Sequence, residues 1–277
     1  LILIPAGGVS VALPRTYFGV LHTTNEELKC FSIREKRNNK GWKPLFLAAL
    51  NIISAKAYDV VSTNNGFLVV TWDGERCFGM EVYVNSQTGQ MDFGNKVDLF
   101  GTTIDAALTS LSDIDGLVNA SKHAKNREGM EAVVEARGVG NSQYVVRAGK
   151  HITFLTITKS EILPTFNVVR LPISHLSRVS SILPLGNGNV HFVVVTGTAL
   201  GYSKAFGIQV SPTKQSVIES PPYSVAYHIG REAQVSHVFS WKDYWLVPAL
   251  EHIVMLNKKS GSLKRLFFCR TRSLCTF

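Results

Sequence analysis

Asp59 and Asp105 open strand-like runs in successive segments of the chain, and Glu232 lies on a turn closer to its C-terminal end. Glycoside cleavage uses two carboxyl groups that flank one bond, one as acid and the other as nucleophile or base. These three residues are therefore the candidate catalytic groups, with Asp113 and Asp115 on a nearby turn. A local explanation competes with catalysis, because Asp before or inside a turn bonds the backbone that follows it.

Other recognisable chemistry is missing. The sequence holds no His-Glu-x-x-His, no phosphate-cradling Gly-rich loop opening a helix, no Gly-x-Ser-x-Gly and no close Cys pair. The eight histidines are dispersed, and His191 and His252 fall inside apolar runs, where a half-buried imidazole serves packing. Cys30, Cys77, Cys269 and Cys275 lack zinc-ligand spacing and read as free thiols, with a Cys269 to Cys275 bridge as the alternative. Neither a metal nor a cofactor is expected.

Residues suited to binding are more concentrated. Lys36, Arg37, Lys40 and Lys43 decorate one turn, and Lys258, Lys259, Lys264, Arg265, Arg270 and Arg272 surround another near the end. If the first and last segments neighbour one another in a closed ring, the two sets merge into one basic edge. Lysines at strand edges also discourage edge-to-edge pairing. Trp241 and Tyr244 bracket a polar Lys242-Asp243 turn, where a ring can cover a sugar face or anchor a protein.

Composition supports an ordered chain. Across 277 residues, 45% are apolar and 18% charged, which is enough to bury a large core. The formal charge of +9 favours acidic partners, so nucleic acid or another polyanion is one possible class. Leu1 to Leu13 is apolar but interrupted by Pro5, Gly7 and Gly8, and reads as a first strand. No apolar run approaches the roughly 20 residues of a membrane-spanning helix, so a soluble protein is expected.

The elements that must position these residues are strands. Val82 to Val84 runs into Asn85, two polar residues, Thr88 and Gly89, and returns at Met91. Val254 to Leu256 repeats the pattern through Asn257, two lysines, Ser260 and Gly261 to Leu263. Asn bonds nearby backbone and Gly accepts positive φ, so both stretches predict hairpins. Asn64-Asn65-Gly66 and Asp73-Gly74 punctuate another series of short β-branched and aromatic runs.

Equivalent turns fall near residues 41, 89, 161, 214 and 261, and the long interval after 89 accommodates an inserted hairpin. This periodicity predicts an all-β, single-domain β-propeller of five four-stranded blades. The expected blades are 9–50, 57–102, 104–172, 178–228 and 234–268. A paired β-sandwich is the alternative architecture.

The repeated strand-Asn-x-x-Thr/Ser-Gly-x-apolar hairpin resembles the outer half of blades in pyrroloquinoline-quinone-like, kelch and related propellers. Ser62, Asn64 and Gly66 also resemble the Asp-box of sialidase-type propellers, although Asn replaces the Asp. These resemblances imply an architecture. The leading functional expectation is a non-enzymatic scaffold presenting loops and a basic edge to a protein or glycan. A glycoside-active enzyme and a polyanion binder are the alternatives. Function is expected at the strand ends opposite the repeated hairpins.

Overall fold

The computed structural model describes residues 18–23, 27–35, 42–51, 55–84, 91–104, 106–109, 130–159, 161–165, 167–173, 177–185, 188–197, 203–213, 217–219, 223–225, 239–248, 252–260 and 263–267. Among them every regular element is a strand, and no helix is long and apolar enough to cross a membrane. Every described strand pairing with a resolved register is antiparallel. The chain is all-β, as its short β-branched runs predict.

The chain divides into two compact units. In the first, β1 (Phe18–Thr23), β2 (Glu27–Glu35) and β3 (Trp42–Asn51) form a three-stranded meander. A second sheet holds β4 (Ala57–Ser62), β5 (Gly66–Trp72) and β6 (Cys77–Val84), with β7 (Met91–Phe93) and β8 (Val97–Asp98) sharing the far side of β6. Short strands β9 (Ala107–Thr109) and β10 (Met130–Ala132), each divided by the unit boundary, pair with each other. A further sheet holds β11 (Val134–Gly140), β12 (Gln143–Ala148) and β13 (His151–Thr158), beyond which β14 (Glu161–Pro164) and β15 (Val169–Arg170) share one edge.

Strand β5 is buried on both faces except at Thr71, which suits its Phe-Leu-Val-Val core. Leu68, Val70 and Trp72 meet Leu99, Phe100 and Ile104, and the same core continues through Ala136, Val146 and Leu155 of the neighbouring sheet. The Trp72 indole Nε1 donates to the Ile104 carbonyl at 2.9 Å, so its one polar group enters the core satisfied. Cys77 is a buried free thiol, and burial pushes its pKa well above the usual thiol range.

The second unit contains β16 (Ser177–Val179), β17 (Leu183–Pro184), β18 (Val190–Gly197), β19 (Ser203–Val210), β20 (Val217–Glu219) and β21 (Tyr223–Val225) in one sheet. Another sheet is the meander β22 (Phe239–Trp241), β23 (Tyr244–Pro248), β24 (His252–Asn257) and β25 (Leu263–Phe267). His191 lies within β18, buried, with Nε2 3.2 Å from the Gln209 side-chain oxygen. Burial lowers its pKa while that hydrogen bond opposes the shift.

One structural feature recurs in three of the described sheets. Strand β6 pairs with β7 through residues 82–84 and with β8 through 78–79. The same division occurs in β13 with β14 and β15, and in β19 with β20 and β21. Each divided partner carries Gly or Pro at or beside its break: Gly94, Pro164, and Pro221-Pro222. A broken edge offers no long row of unpaired amides to another chain.

The turns follow the local chemistry of their residues. Asp73 Oδ1 accepts the Glu75 and Arg76 amides, each at 2.9 Å, and these bonds hold its carboxyl below the usual range. Asn257 Oδ1 accepts the Lys259 and Ser260 amides, again each at 2.9 Å. Asn85 of the other hairpin lies outside the described residues. Gly66 has a different constraint from the turn conformation read in the sequence: a Cβ there would collide with the Val82 carbonyl of β6. Gly66→Ala is therefore expected to push β5 from β6 and to cost ~1–3 kcal/mol. Urea unfolding checks this, and an unchanged midpoint would show that the strands accommodate the methyl group.

Candidate functional site

Asp59 leaves its own sheet to reach another. One carboxylate oxygen accepts the Val60 amide at 2.8 Å, and the other accepts the Ala136 amide of β11 at 2.8 Å and Arg137 Nη1 at 3.3 Å. Burial pushes its carboxyl pKa up, while the two amides and Arg137 pull it down. Alternation then places Glu135 and Arg137 on the same face of β11. Arg137 Nη2 lies 3.2 Å from Glu135 Oε1, and Glu135 Oε2 lies 3.9 Å from Arg147 Nη1.

The result is a chain of two carboxylates and two guanidiniums across β4, β11 and β12. Arg147 is 4% exposed, so burial pulls down its guanidinium pKa while Glu135 opposes that change. Ion pairs in such a place must satisfy one another, because an isolated buried charge is expensive. In this arrangement Asp59 clips two sheets together. Asp105 and Glu232 lie outside the described residues.

The binding candidates occupy the β22–β25 sheet. Trp241 ends β22 and is 47% exposed, while Lys242 adopts φ 49° in the two-residue turn to Tyr244. The Lys242 ammonium lies 5.0 Å from the Trp241 ring centroid. Tyr244 is half-buried and Trp245, next along β23, is buried. Lys258 Nζ donates to the Lys242 carbonyl at 2.6 Å and sits 4.5 Å from the Trp245 ring centroid. Its backbone amide also donates to the Asp243 carbonyl at 2.7 Å.

Lys258 thus joins the β22–β23 turn to the β24–β25 turn, in addition to adding positive charge. Lys259 Nζ is 3.7 Å from Asp243 Oδ1, but both groups are well exposed and this pair contributes little stability. Lys264 is exposed on β25, and Arg265 follows it opposite Val254. Lys36, Arg37 and Lys40 lie outside the described residues. Among the described residues no group of three or more His, Cys, Asp or Glu side chains is placed to hold a metal.

The sequence reading missed Arg137, Glu135 and Arg147 because their pairing depends on β11 meeting β4 and β12. Arg147 within Tyr-Val-Val-Arg-Ala was the available signal: a charge in an otherwise apolar run. Lys242 was legible as a turn residue, but the sequence does not encode the hold of Lys258 on its carbonyl.

No protein-family model matches the chain, and no curated protein matches its sequence. The WD40 domain of SCAP from fission yeast is similar at 10% identity and TM-score 0.44, covering 95% of this chain and 64% of that one. Sqt1 from Chaetomium thermophilum, bound to the N-terminus of ribosomal protein L10, gives 10% identity and TM-score 0.35, with coverages of 91% and 72%. A Bacteroides fragilis protein described as a candidate 6-phosphogluconolactonase gives 9% identity and TM-score 0.37, with coverages of 90% and 79%. Likenesses at these scores carry no functional argument.

The charge network yields its own test. Glu135→Gln deprives buried Arg147 of a carboxylate and is expected to cost about 3–5 kcal/mol in urea unfolding. Adding Arg147→Met should recover much of the loss, because an apolar side chain needs no counter-charge. A double variant no more stable than the single one would contradict this account of the network.

Proposed function

We propose that the chain is a non-catalytic β-propeller scaffold whose β22–β25 turn surface binds an acidic segment of a protein partner. The observation that carries this reading is Trp241, 47% exposed on a hydrogen-bonded turn and beside the Lys242 ammonium. An exposed Trp on a rigid turn supplies apolar contact at little entropic cost, while neighbouring cations select carboxylates. Lys259 and Lys264 extend the positive surface. The +9 charge of the whole chain acts in the same direction.

A protein partner suits the ring better than a stacked sugar, because Lys242 already occupies space against its π-system. The five-blade reading draws support from the separate antiparallel sheets over Phe18–Asn51, Ala57–Asp98, Val134–Arg170, Ser177–Val225 and Phe239–Phe267. The glycoside-active alternative requires a second carboxyl group facing the first. Asp59 instead has both carboxylate oxygens engaged by backbone amides.

Fluorescence anisotropy with a labelled poly-glutamate peptide tests the proposal. The wild-type chain should bind it in a salt-sensitive manner, and Trp241→Ala should weaken binding by about 30-fold, the scale of a 2 kcal/mol hot spot. Equal affinity in Trp241→Ala would overturn the proposed surface. Absence of peptide binding, with heparin retained equally by both proteins, would point instead to charge-only polyanion attraction.

A further inference from the structure

A polar cleft in the first unit lies outside the surface assigned above. Its volume is about 290 Å³, just below the roughly 300–1,000 Å³ common for small-molecule sites. Three segments frame it: residues 63–65 between β4 and β5, 141–142 between β11 and β12, and Lys159 after Thr158 of β13. Its lining includes Thr63, Asn64, Glu81, Ser142, Tyr144 and Thr158.

Glu81 is the unusual member, a carboxylate only 1% exposed inside an apolar strand. Its Oε1 accepts the Thr63 hydroxyl at 2.7 Å, and the same hydroxyl oxygen accepts the Gly66 amide at 3.0 Å. Across the mouth, Asn64 Nδ2 donates to Ser142 Oγ at 2.8 Å. Ser142 and Lys159 hold φ 58° and 50° without being Gly, so local strain is concentrated at this rim. Burial, and then the charge of Glu81, raise the pKa of Tyr144, which keeps its phenol protonated and able to donate.

This combination discriminates among ligand classes. A carboxylate in the lining disfavours phosphate, whereas Lys159 at the same cleft disfavours a simple cation. Hydroxyl and amide groups provide mixed donors and acceptors, and sugar hydroxyls likewise both donate and accept. We propose that the Glu81 cleft binds one hydroxyl-rich unit of monosaccharide size. Glu81 and Asn64 accept its hydroxyl protons, Tyr144 donates to its oxygens, and Ile157 supplies an apolar wall. The site is independent of the Trp241 surface.

Saturation-transfer NMR tests the cleft with methyl galactoside, methyl mannoside and N-acetylglucosamine, alongside butylammonium and inorganic phosphate. At least one sugar should receive saturation from the wild-type chain, and Glu81→Gln should reduce its affinity by about tenfold. Thr158→Trp places bulk at the exposed mouth and should also abolish the signal, providing a second test if Glu81→Gln fails to fold. The proposal is overturned if no sugar binds, if sugar binding survives Thr158→Trp, or if only butylammonium or phosphate shows binding at the cleft.

Discussion

The Ala136 amide finds its acceptor on Asp59, a residue 77 positions earlier in another sheet, and the geometry of the first unit depends on that bond. A backbone amide withdrawn from water needs a partner, while a carboxylate withdrawn from water needs donors. Asp59 satisfies both demands at one point. Arg137 joins the same carboxylate and relays charge to Glu135 and buried Arg147. Apolar packing supplies the larger driving force through Leu68, Val70, Leu99, Val146 and Leu155. The charged chain adds a positional constraint, since sliding the two sheets would strand its members.

That positioning gives the neighbouring polar cleft its shape. The turns at Asn64 and Ser142 belong to the sheets joined by Asp59, and their side chains bond across the mouth. Gly66 brings β5 close to β6, where Glu81 enters the interior beside Thr63. Farther along the sequence, another meander presents a different surface: Lys258 holds the Lys242 turn through its carbonyl while Trp241 remains exposed. Repetition of architecture therefore does not require repetition of chemistry.

Much of the backbone was legible because its signals are local. Asn257 makes the turn bonds expected of Asn, and Asp73 closes the turn expected directly after Trp72. Short runs such as Phe-Leu-Val-Val likewise identify a buried strand. The role of Asp59 was not local, since its partner arrives only when another sheet packs. Glu81 and Arg147 look like polar interruptions in their strands, yet folding buries both. Sequence reasoning looked for function opposite the repeated hairpins, while the two surfaces proposed above lie at the hairpin ends.

Hydrogen exchange at the Ala136 amide in Asp59→Ala most directly tests the sheet-to-sheet clip. Loss of a hydrogen bond to a charged acceptor should lower protection by about tenfold or more, with a smaller change at Val146 in the centre of β12. Unchanged protection at Ala136 would contradict the central constraint. It would show that packing alone keeps this amide from water and that the Asp59 carboxylate is incidental to the union of the two sheets.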